Sequence, residues 1–217
     1  MRKSSLSEDT LLRMLVAAIS ETVARLALLR TVGNYTQSME IIDQNLEELL
    51  GLKADLIRQL DDKHIVEMLT INDILDYGRL YYVAELFRQE AEIHLAQGDA
   101  QPAKISQIRA LNLFLEVGFA VENEFLEADD QIDELFESLG ENAPAETLFT
   151  LFDYYEQTGE YARAESAINL MLQITGNDLE ILAVKQSFYE RLLAESDEEL
   201  EAGGLTREQI QSAYQGF

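Results

Sequence analysis

The sequence predicts an all-α protein: an array of antiparallel helix pairs with an N-terminal helix and C-terminal capping helices. Apolar and small residues recur at steps of three and four along most of its 217 residues, which is the spacing of one helix face. Only two prolines are present, so long helices can run uninterrupted. No long alternating run of β-branched residues competes with this pattern, which argues against a sheet. With no Pro/Ser-rich linker, we expect one continuous domain over residues 1–217.

The most regular helix pair lies within residues 145–178. A first helix is predicted over Ala145–Gln157, and Gly159 ends it because glycine takes a left-handed conformation without strain. In the second helix the small Ala164 lets the two helices approach closely, and Gly176 marks the end of the pair. The apolar stripes of the two helices consist of Leu148, Leu151, Phe152, Tyr155, Tyr161, Ile168, Met171 and Leu172.

This unit of 34 residues resembles a tetratricopeptide repeat, which has the same length and helix-turn-helix plan. Phe152 stands where that family has a small residue, Met171 where it has alanine, and Gly176 near its proline. The resemblance implies a right-handed α-α superhelix that presents a binding surface. An ordinary helical hairpin in a non-repetitive bundle is the alternative. The matching residues are Leu148, Leu151, Tyr155, Gly159, Tyr161, Ala164 and Leu172.

Two weaker units are found by aligning other glycines with Gly159. Gly98 gives a unit at about residues 84–118, and Gly33 gives a fainter one at about residues 19–52. A single helix pair leaves an apolar face in water, so about three stacked pairs are needed for a stable solenoid. The sequence supplies that minimum.

The segments between the pairs also show helical periodicity. Residues 52–69 predict two short helices that divide near Asp61, and Asn72 is a candidate N-cap for a long helix that reaches Gln97. Another helix is predicted over Glu122–Leu139.

Residues 179–217 are predicted to cap the array, beginning with a helix over Leu179–Leu193. Two short helices follow, because each of two capping boxes can satisfy free backbone N–H groups. This ending, together with the N-terminal amphipathic helix, is similar to a family of uncharacterised small bacterial helical proteins with tetratricopeptide-like cores. The similarity covers about the first 30 and the last 35 residues and implies no activity. The capping boxes are Ser196 with Glu199 and Thr206 with Gln209.

The apolar stretch Leu11–Leu29 follows a basic start but is not expected to be a signal peptide, because Arg13 interrupts it and no cleavage site follows. Glu21 and Arg25 argue against a membrane span. We therefore expect a buried helix, and the cytoplasm as the location. If the protein self-associates, this helix is the predicted contact of a homodimer.

The formal net charge of −25, from 41 acidic and 16 basic residues, argues against binding to nucleic acid or to anionic membranes, since both need basic patches. The charge is uneven: no Lys or Arg stands between Arg109 and Arg163, an interval that holds fourteen Asp and Glu residues. One interpretation is a solvated helix face. The other is a docking surface for a basic segment.

No motif in the sequence predicts catalysis, and no cofactor or metal is expected. Zero cysteines exclude disulfides and thiol chemistry, and two histidines leave little scope for acid–base work. Carboxylate pairs have no spacing rule in sequence. A carboxylate-based metal protein or enzyme is therefore kept as a third hypothesis, after a non-enzymatic interaction module and a structural, self-associating protein.

The tetratricopeptide resemblance also implies the residues of a partner-binding groove, because that family lines its groove with the second, fifth, ninth and twelfth positions of each first helix. In the best unit these positions are Glu146, Phe149, Asp153 and Glu156. Such a groove is acidic with an apolar centre and suits a basic or amphipathic peptide. A groove that receives a helix of the same chain is the alternative. In the weaker unit, the same positions are Glu85, Arg88, Glu92 and Leu95.

Overall fold

The computed structural model describes residues 8–120, 126 and 128–216. Two compact units divide the chain, an N-terminal unit (Met1–Leu139) and a C-terminal unit (Gly140–Phe217). The all-α prediction is confirmed: the described residues form helices, most of them in antiparallel neighbouring pairs, apart from one small hairpin of strands. None of the described helices combines the length and apolar character needed to cross a bilayer.

The N-terminal unit has long helices at both ends and short elements in its middle. In chain order it contains α1 (Glu8–Thr31), α2 (Tyr35–Leu50), α3 (Ala54–Ile57), α4 (Asp62–Met68), β1 (Thr70–Ile71), β2 (Ile74–Leu75), α5 (Tyr77–Gln97), α6 (Ala100–Ala120) and α7 (Asp129–Leu139).

Helix α5 is the centre of this unit. It packs against α6, α2 and α1, and twelve of its 21 residues are buried. The turn to α6 is made at Gly98, whose φ of +83° is a conformation that residues with a Cβ rarely adopt. Gly33, between α1 and α2, has a φ of +72°. Both glycines therefore make the helix-pair turns predicted for them.

Tyr82 joins three helices through its hydroxyl group. It donates a hydrogen bond of 2.7 Å to Oδ1 of Asn45 on α2. Since its only proton is used there, the 2.7 Å contact with Oγ1 of Thr22 on α1 must have Thr22 as the donor. Asn45 in turn donates 2.8 Å to the carbonyl of Ile41. This chain of bonds fixes α1 and α2 against α5.

An ion network anchors α3 to α5. Arg58, directly after α3, donates to Oε2 of Glu90 at 2.9 and 2.6 Å and to Oδ1 of Asp43 at 2.6 Å. Ser106 on α6 donates to the other oxygen of Glu90 at 3.0 Å. Glu90 is buried, and these partners replace the water that its carboxylate loses.

The start of α5 differs from the prediction. Asn72 is not an N-cap: Asn72 and Asp73 take φ values of +52° and +61° and form the turn between β1 and β2. Asn and Asp tolerate this left-handed conformation better than other residues with a side chain. The N-cap of α5 is Asp76, which accepts a 3.0 Å bond from the backbone N–H of Arg79. The expectation of no strand pairing is therefore wrong at this point.

Three other helix predictions can be compared with the structure. The two short helices of residues 52–69 are present as α3 and α4, with Asp61 as the N-cap of α4. The helix predicted over Glu122–Leu139 is seen as α7, and residues 122–125 and 127 of that segment lie outside the described residues. The N-terminal helix is present as α1, but it is only partly buried, because Ile19 and Leu26 are its only buried described residues.

The C-terminal unit starts with a 3-10 turn and continues with five helices. These are the turn Gly140–Asn142, α8 (Ala145–Gln157), α9 (Tyr161–Thr175), α10 (Leu179–Leu192), α11 (Asp197–Ala202) and α12 (Arg207–Tyr214). The bounds of α8 are those predicted from the sequence. Both capping boxes are present, at the starts of α11 and α12.

Gly203, at the end of α11, touches the turn between α8 and α9. The N–H of Ala162 donates 2.8 Å to the carbonyl of Gly203. A Cβ added at Gly203 would meet the ring of Tyr161 and lie 2.5 Å from the carbonyl oxygen of Gly159. Only glycine fits this contact, which holds the C-terminal segment on the α8–α9 pair.

Candidate functional site

Helix α8 carries the four residues predicted to bind a partner, and its sequence explains why the helix begins, packs and ends where it does. Pro144 precedes the helix with a φ of −64°, the value that the proline ring fixes. Leu148, Leu151 and Phe152 are buried on one face, as the periodicity predicts. Gly159, with a φ of +78°, reverses the chain into α9.

Small residues bring α9 close to α8. Ala164 and Ala167 have no exposed surface, and α8 and α9 pack directly against each other. The complete burial of Ala164 agrees with the close packing predicted for it. Because the pair is tightly packed, the remaining face of α8 is presented on a rigid element.

The predicted site residues Glu146, Phe149, Asp153 and Glu156 follow one another along this remaining face at steps of three and four. Glu146 is exposed, and 40% of Phe149 is exposed. The ring of Phe149 leans on that of Phe152, with 6.2 Å between centroids and 53° between planes. Exposed aromatic side chains are enriched at partner-binding surfaces.

Helix α10 closes one end of this face. Arg191 donates from Nε and Nη2 to the two carboxylate oxygens of Glu156 at 2.6 and 2.7 Å. Phe188 packs edge-on against Phe152 at 5.3 Å. Glu156 is therefore already paired within the chain. This pairing is what the alternative interpretation expects, in which a helix of the same chain lies in the groove. The open part of the face consists of Glu146, Phe149 and Asp153.

Arg191 is the residue beside this face that the sequence did not reveal. A signal was present, because Phe188 and Arg191 stand three residues apart and so share a face of α10. With Phe188 recognised as the inward residue, Arg191 would have been expected beside the first helix of the pair.

Asp153 is a partly buried carboxylate without a direct partner. Burial raises its pKa, and the charge of Glu156 raises it further, whereas Arg191 lowers it. Among the described residues, neither Glu146 nor Asp153 has an ion pair within 4 Å or a side-chain hydrogen bond. Both carboxylates are thus available to a cation from outside the chain.

The weaker unit does not present its corresponding positions as an open surface of its own. Glu85 is only 3% exposed, and its carboxylate accepts bonds of 2.8 Å from Nε and Nη2 of Arg88 and from Nε2 of Gln89. Arg88 also approaches Glu134 of α7 at 3.7 Å. These residues connect α5 to α7 inside the N-terminal unit. The prediction that Glu85 and Arg88 line an open groove is therefore wrong, because α5 is central.

Glu92 and Leu95, the other two predicted positions on α5, reach the surface. Glu92 lies 3.9 Å from the guanidinium of Arg30 at the end of α1. Leu95 is 46% exposed. Glu92 therefore meets a cation of its own unit, as Glu156 does in the other unit.

The cations of the C-terminal unit are few and engaged. Residues 140–217 contain fifteen Asp and Glu residues but only four Lys and Arg residues. Arg163 pairs with Glu160 at 2.7 Å, and Arg207 pairs with Asp197 and donates to two backbone carbonyls. Lys185 lies 5.6 Å above the ring of Tyr189. Across the described part of the chain, no three acidic or histidine side chains converge as metal ligands would.

Comparison with other proteins places the chain in a family without assigning an activity. No curated protein and no solved structure matches it. The sequence profile of a family of unknown function, DUF6483, matches residues 6–216, so the chain belongs to that family.

Proposed function

We propose that the protein is a non-enzymatic interaction module that binds a basic or amphipathic segment of another protein on the open face of α8, in the cytoplasm. The observation that carries the proposal is the exposed ring of Phe149 between two carboxylates that have no partner in the described chain. Such a surface can hold an apolar side chain and its neighbouring Lys or Arg residues together.

The charge of the unit supports a basic partner. With fifteen acidic and four basic residues, and with the cations held by contacts of their own, residues 140–217 present a negative field. Such a field attracts a basic segment over long distances and repels nucleic acid. The association should therefore weaken as salt rises.

The state of Asp153 also supports the proposal. A partly buried carboxylate next to Glu156 costs folding stability, because its charge is poorly hydrated and repelled. A cation from a partner would remove that cost on binding. The resemblance of the α8–α9 pair to a tetratricopeptide unit points to the same face, since that family binds peptides with the first helix of each pair.

The test uses a labelled synthetic helical peptide with leucine at every third or fourth position and lysine elsewhere, and fluorescence anisotropy with the full chain. We expect Phe149→Ala to weaken binding about tenfold, as loss of an aromatic anchor does. Arg191→Gln should strengthen binding, because it frees Glu156. Leu179→Ala is the control, since Leu179 is 80% exposed in the same unit but lies at the start of α10.

A purely electrostatic attraction would give a different pattern. In that case Phe149→Ala would bind like Leu179→Ala, and the proposal would be wrong. Asp153→Asn and Glu208→Gln each remove one negative charge, the second from α12. The proposal requires the change at Asp153 to weaken binding more than the change at Glu208.

A further inference from the structure

Helix α1 has a second apolar face that nothing in the described chain covers. Ile19 and Leu26 point into the unit and are buried. Elsewhere on its circumference, Leu11, Met14 and Leu28 are more than half exposed, with fractions of 53 to 66%. The exposed alanines of this helix, Ala17, Ala18 and Ala24, lie between them.

The charges on this face are few and evenly balanced. Glu21 and Arg25 stand near its centre, one helical turn apart, and both are exposed. Neither side chain has a hydrogen bond or an ion pair with another described residue. Over its whole length α1 holds three acidic residues and three arginines. It is thus a neutral element in a chain whose net charge is −25.

The apolar face continues onto the β1–β2 hairpin. Ile71 and Ile74 flank the hairpin turn and are 66% and 72% exposed. Together with Leu11 they line one open cavity of about 1050 Å³. Val32, directly after α1, is 70% exposed at the other end of the face. The result is one apolar surface, from Val32 along α1 to the hairpin.

We propose that this surface binds a second copy of the chain, with the two α1 helices antiparallel about a two-fold axis near residue 23. In this register Glu21 of each copy lies opposite Arg25 of the other, Ala18 opposite Leu28, and Met14 opposite Val32. A two-fold axis requires a surface that is complementary to itself. The order of charges and apolar residues on α1 meets that requirement.

A parallel in-register pairing does not fit the same residues. It would place Glu21 beside Glu21 and Arg25 beside Arg25, so that like charges repel. The antiparallel pairing also brings the Val32 end of one copy to the Leu11 end of the other, beside the hairpin. Both ends of the apolar surface are then covered.

The size of the surface fits a dimer. A fully exposed aliphatic residue has roughly 200 Å² of accessible surface, so the six large apolar residues of this surface expose on the order of 700 Å² in each copy. A standard interface buries about 800 Å² per partner. Two chains of charge −25 repel each other, and contact through the neutral α1 keeps the acidic surfaces apart. The six residues are Leu11, Met14, Leu28, Val32, Ile71 and Ile74.

The test compares charge-reversed full-length chains by sedimentation velocity at micromolar concentrations. Arg25→Glu and Glu21→Arg each turn two attractive pairs into two repulsive ones, so the dissociation constant of the dimer should rise roughly 10- to 100-fold. Mixing the two single variants should restore a dimer, because every opposed pair is then of opposite sign. The double variant should form a homodimer again.

This design separates the interface from the fold. A single variant that simply unfolded could not be rescued by mixing, and circular dichroism checks helix content. Because the chain has no cysteine, an Ala18→Cys chain mixed with a Leu28→Cys chain should form a disulfide-linked pair when dissolved oxygen oxidises the two thiols, whereas Ala18→Cys alone should not. A monomeric wild-type chain, or two single variants that stay monomeric on mixing, would overturn the proposal.

Discussion

Replacing Gly203 by alanine should lower the free energy of unfolding of the protein by about 2–4 kcal/mol. The φ of Gly203 is −79°, so alanine fits the backbone itself. The added methyl group, however, would lie 2.5 Å from the carbonyl oxygen of Gly159 and against the ring of Tyr161. That carbonyl is fixed in the turn between α8 and α9, so α11 has to move away.

The magnitude has two parts. Overpacking a tight contact costs about 1–3 kcal/mol. Movement of α11 also lengthens the 2.8 Å hydrogen bond from Ala162 to the carbonyl of Gly203, a loss of about 1 kcal/mol. The clash with the carbonyl of Gly159 and the hydrogen bond from Ala162 both lie between backbone segments, so a rotation of the Tyr161 ring relieves neither.

Urea unfolding followed by circular dichroism measures the loss, and hydrogen exchange at the amide of Ala162 measures the local contact. Gly176→Ala is the matched control: Gly176 has a φ of +71° and open space around it, so that change should cost only about 1–2 kcal/mol for the left-handed backbone. If Gly203→Ala is no more destabilising than the control and leaves the Ala162 amide protected, the close approach that we describe is refuted.

Three further changes test other contacts. Arg88→Met should destabilise the protein by about 3 kcal/mol, because it leaves the buried Glu85 without its cation, and Glu85→Met with Arg88→Met should recover part of that loss in urea unfolding. Burial raises the pKa of Asp153 in the folded chain. At pH values just above the usual pKa of an aspartate, the folded chain therefore binds more protons than the unfolded chain, and the free energy of unfolding falls as the pH rises. Asp153→Asn should therefore stabilise the protein at about pH 7 and not at about pH 3, and equal stability of variant and wild type at both would contradict this. Ser196→Ala removes the N-cap side chain of α11 and should lower the free energy of unfolding by about 1 kcal/mol, as measured by thermal melting. An unchanged melting curve would mean that the bond from Glu199 is sufficient to hold that helix end.

Local backbone chemistry made much of the fold predictable from the sequence. Gly33, Gly98 and Gly159 each end a helix in the left-handed region, and few residues other than glycine do so without strain. Ser196 and Thr206 start helices by a side-chain pattern contained within four residues. Signals of this kind need no knowledge of the rest of the fold.

The misplaced N-cap of α5 shows how a helical pattern can hide a short hairpin. Asn72 can cap a helix, but Thr-Ile before it and Ile-Leu after Asp73 are also the pattern of two short strands around a turn. Strands of two residues are too short to show an alternating period. The choice between the two depended on contacts that the local sequence does not contain.

The exposure of the candidate site residues could be predicted from the repeat positions on α8 but not on α5. On α8 the repeat positions give Phe149 and its neighbours, and the outward face follows from the apolar stripe. On α5 the same positions give Glu85 and Arg88, which are inside the unit because other helices surround α5. Which helix is central is a property of the assembled unit. The ion pair of Glu156 with Arg191 depends in the same way on where α10 packs.

The sparse anchoring of α1 has a consequence for the dynamics of the protein. Two buried side chains, the bond from Thr22 to Tyr82 and the contacts of Arg30 with Gln89 and Glu92 hold this helix of 24 residues, so we expect it to open before the rest of the N-terminal unit unfolds. Its amides should then exchange with solvent faster than those of α5. If local opening and dimer formation both involve α1, the protection of its amides from hydrogen exchange depends on protein concentration. The measured stability of α1 then indicates the fraction of the protein that is dimeric.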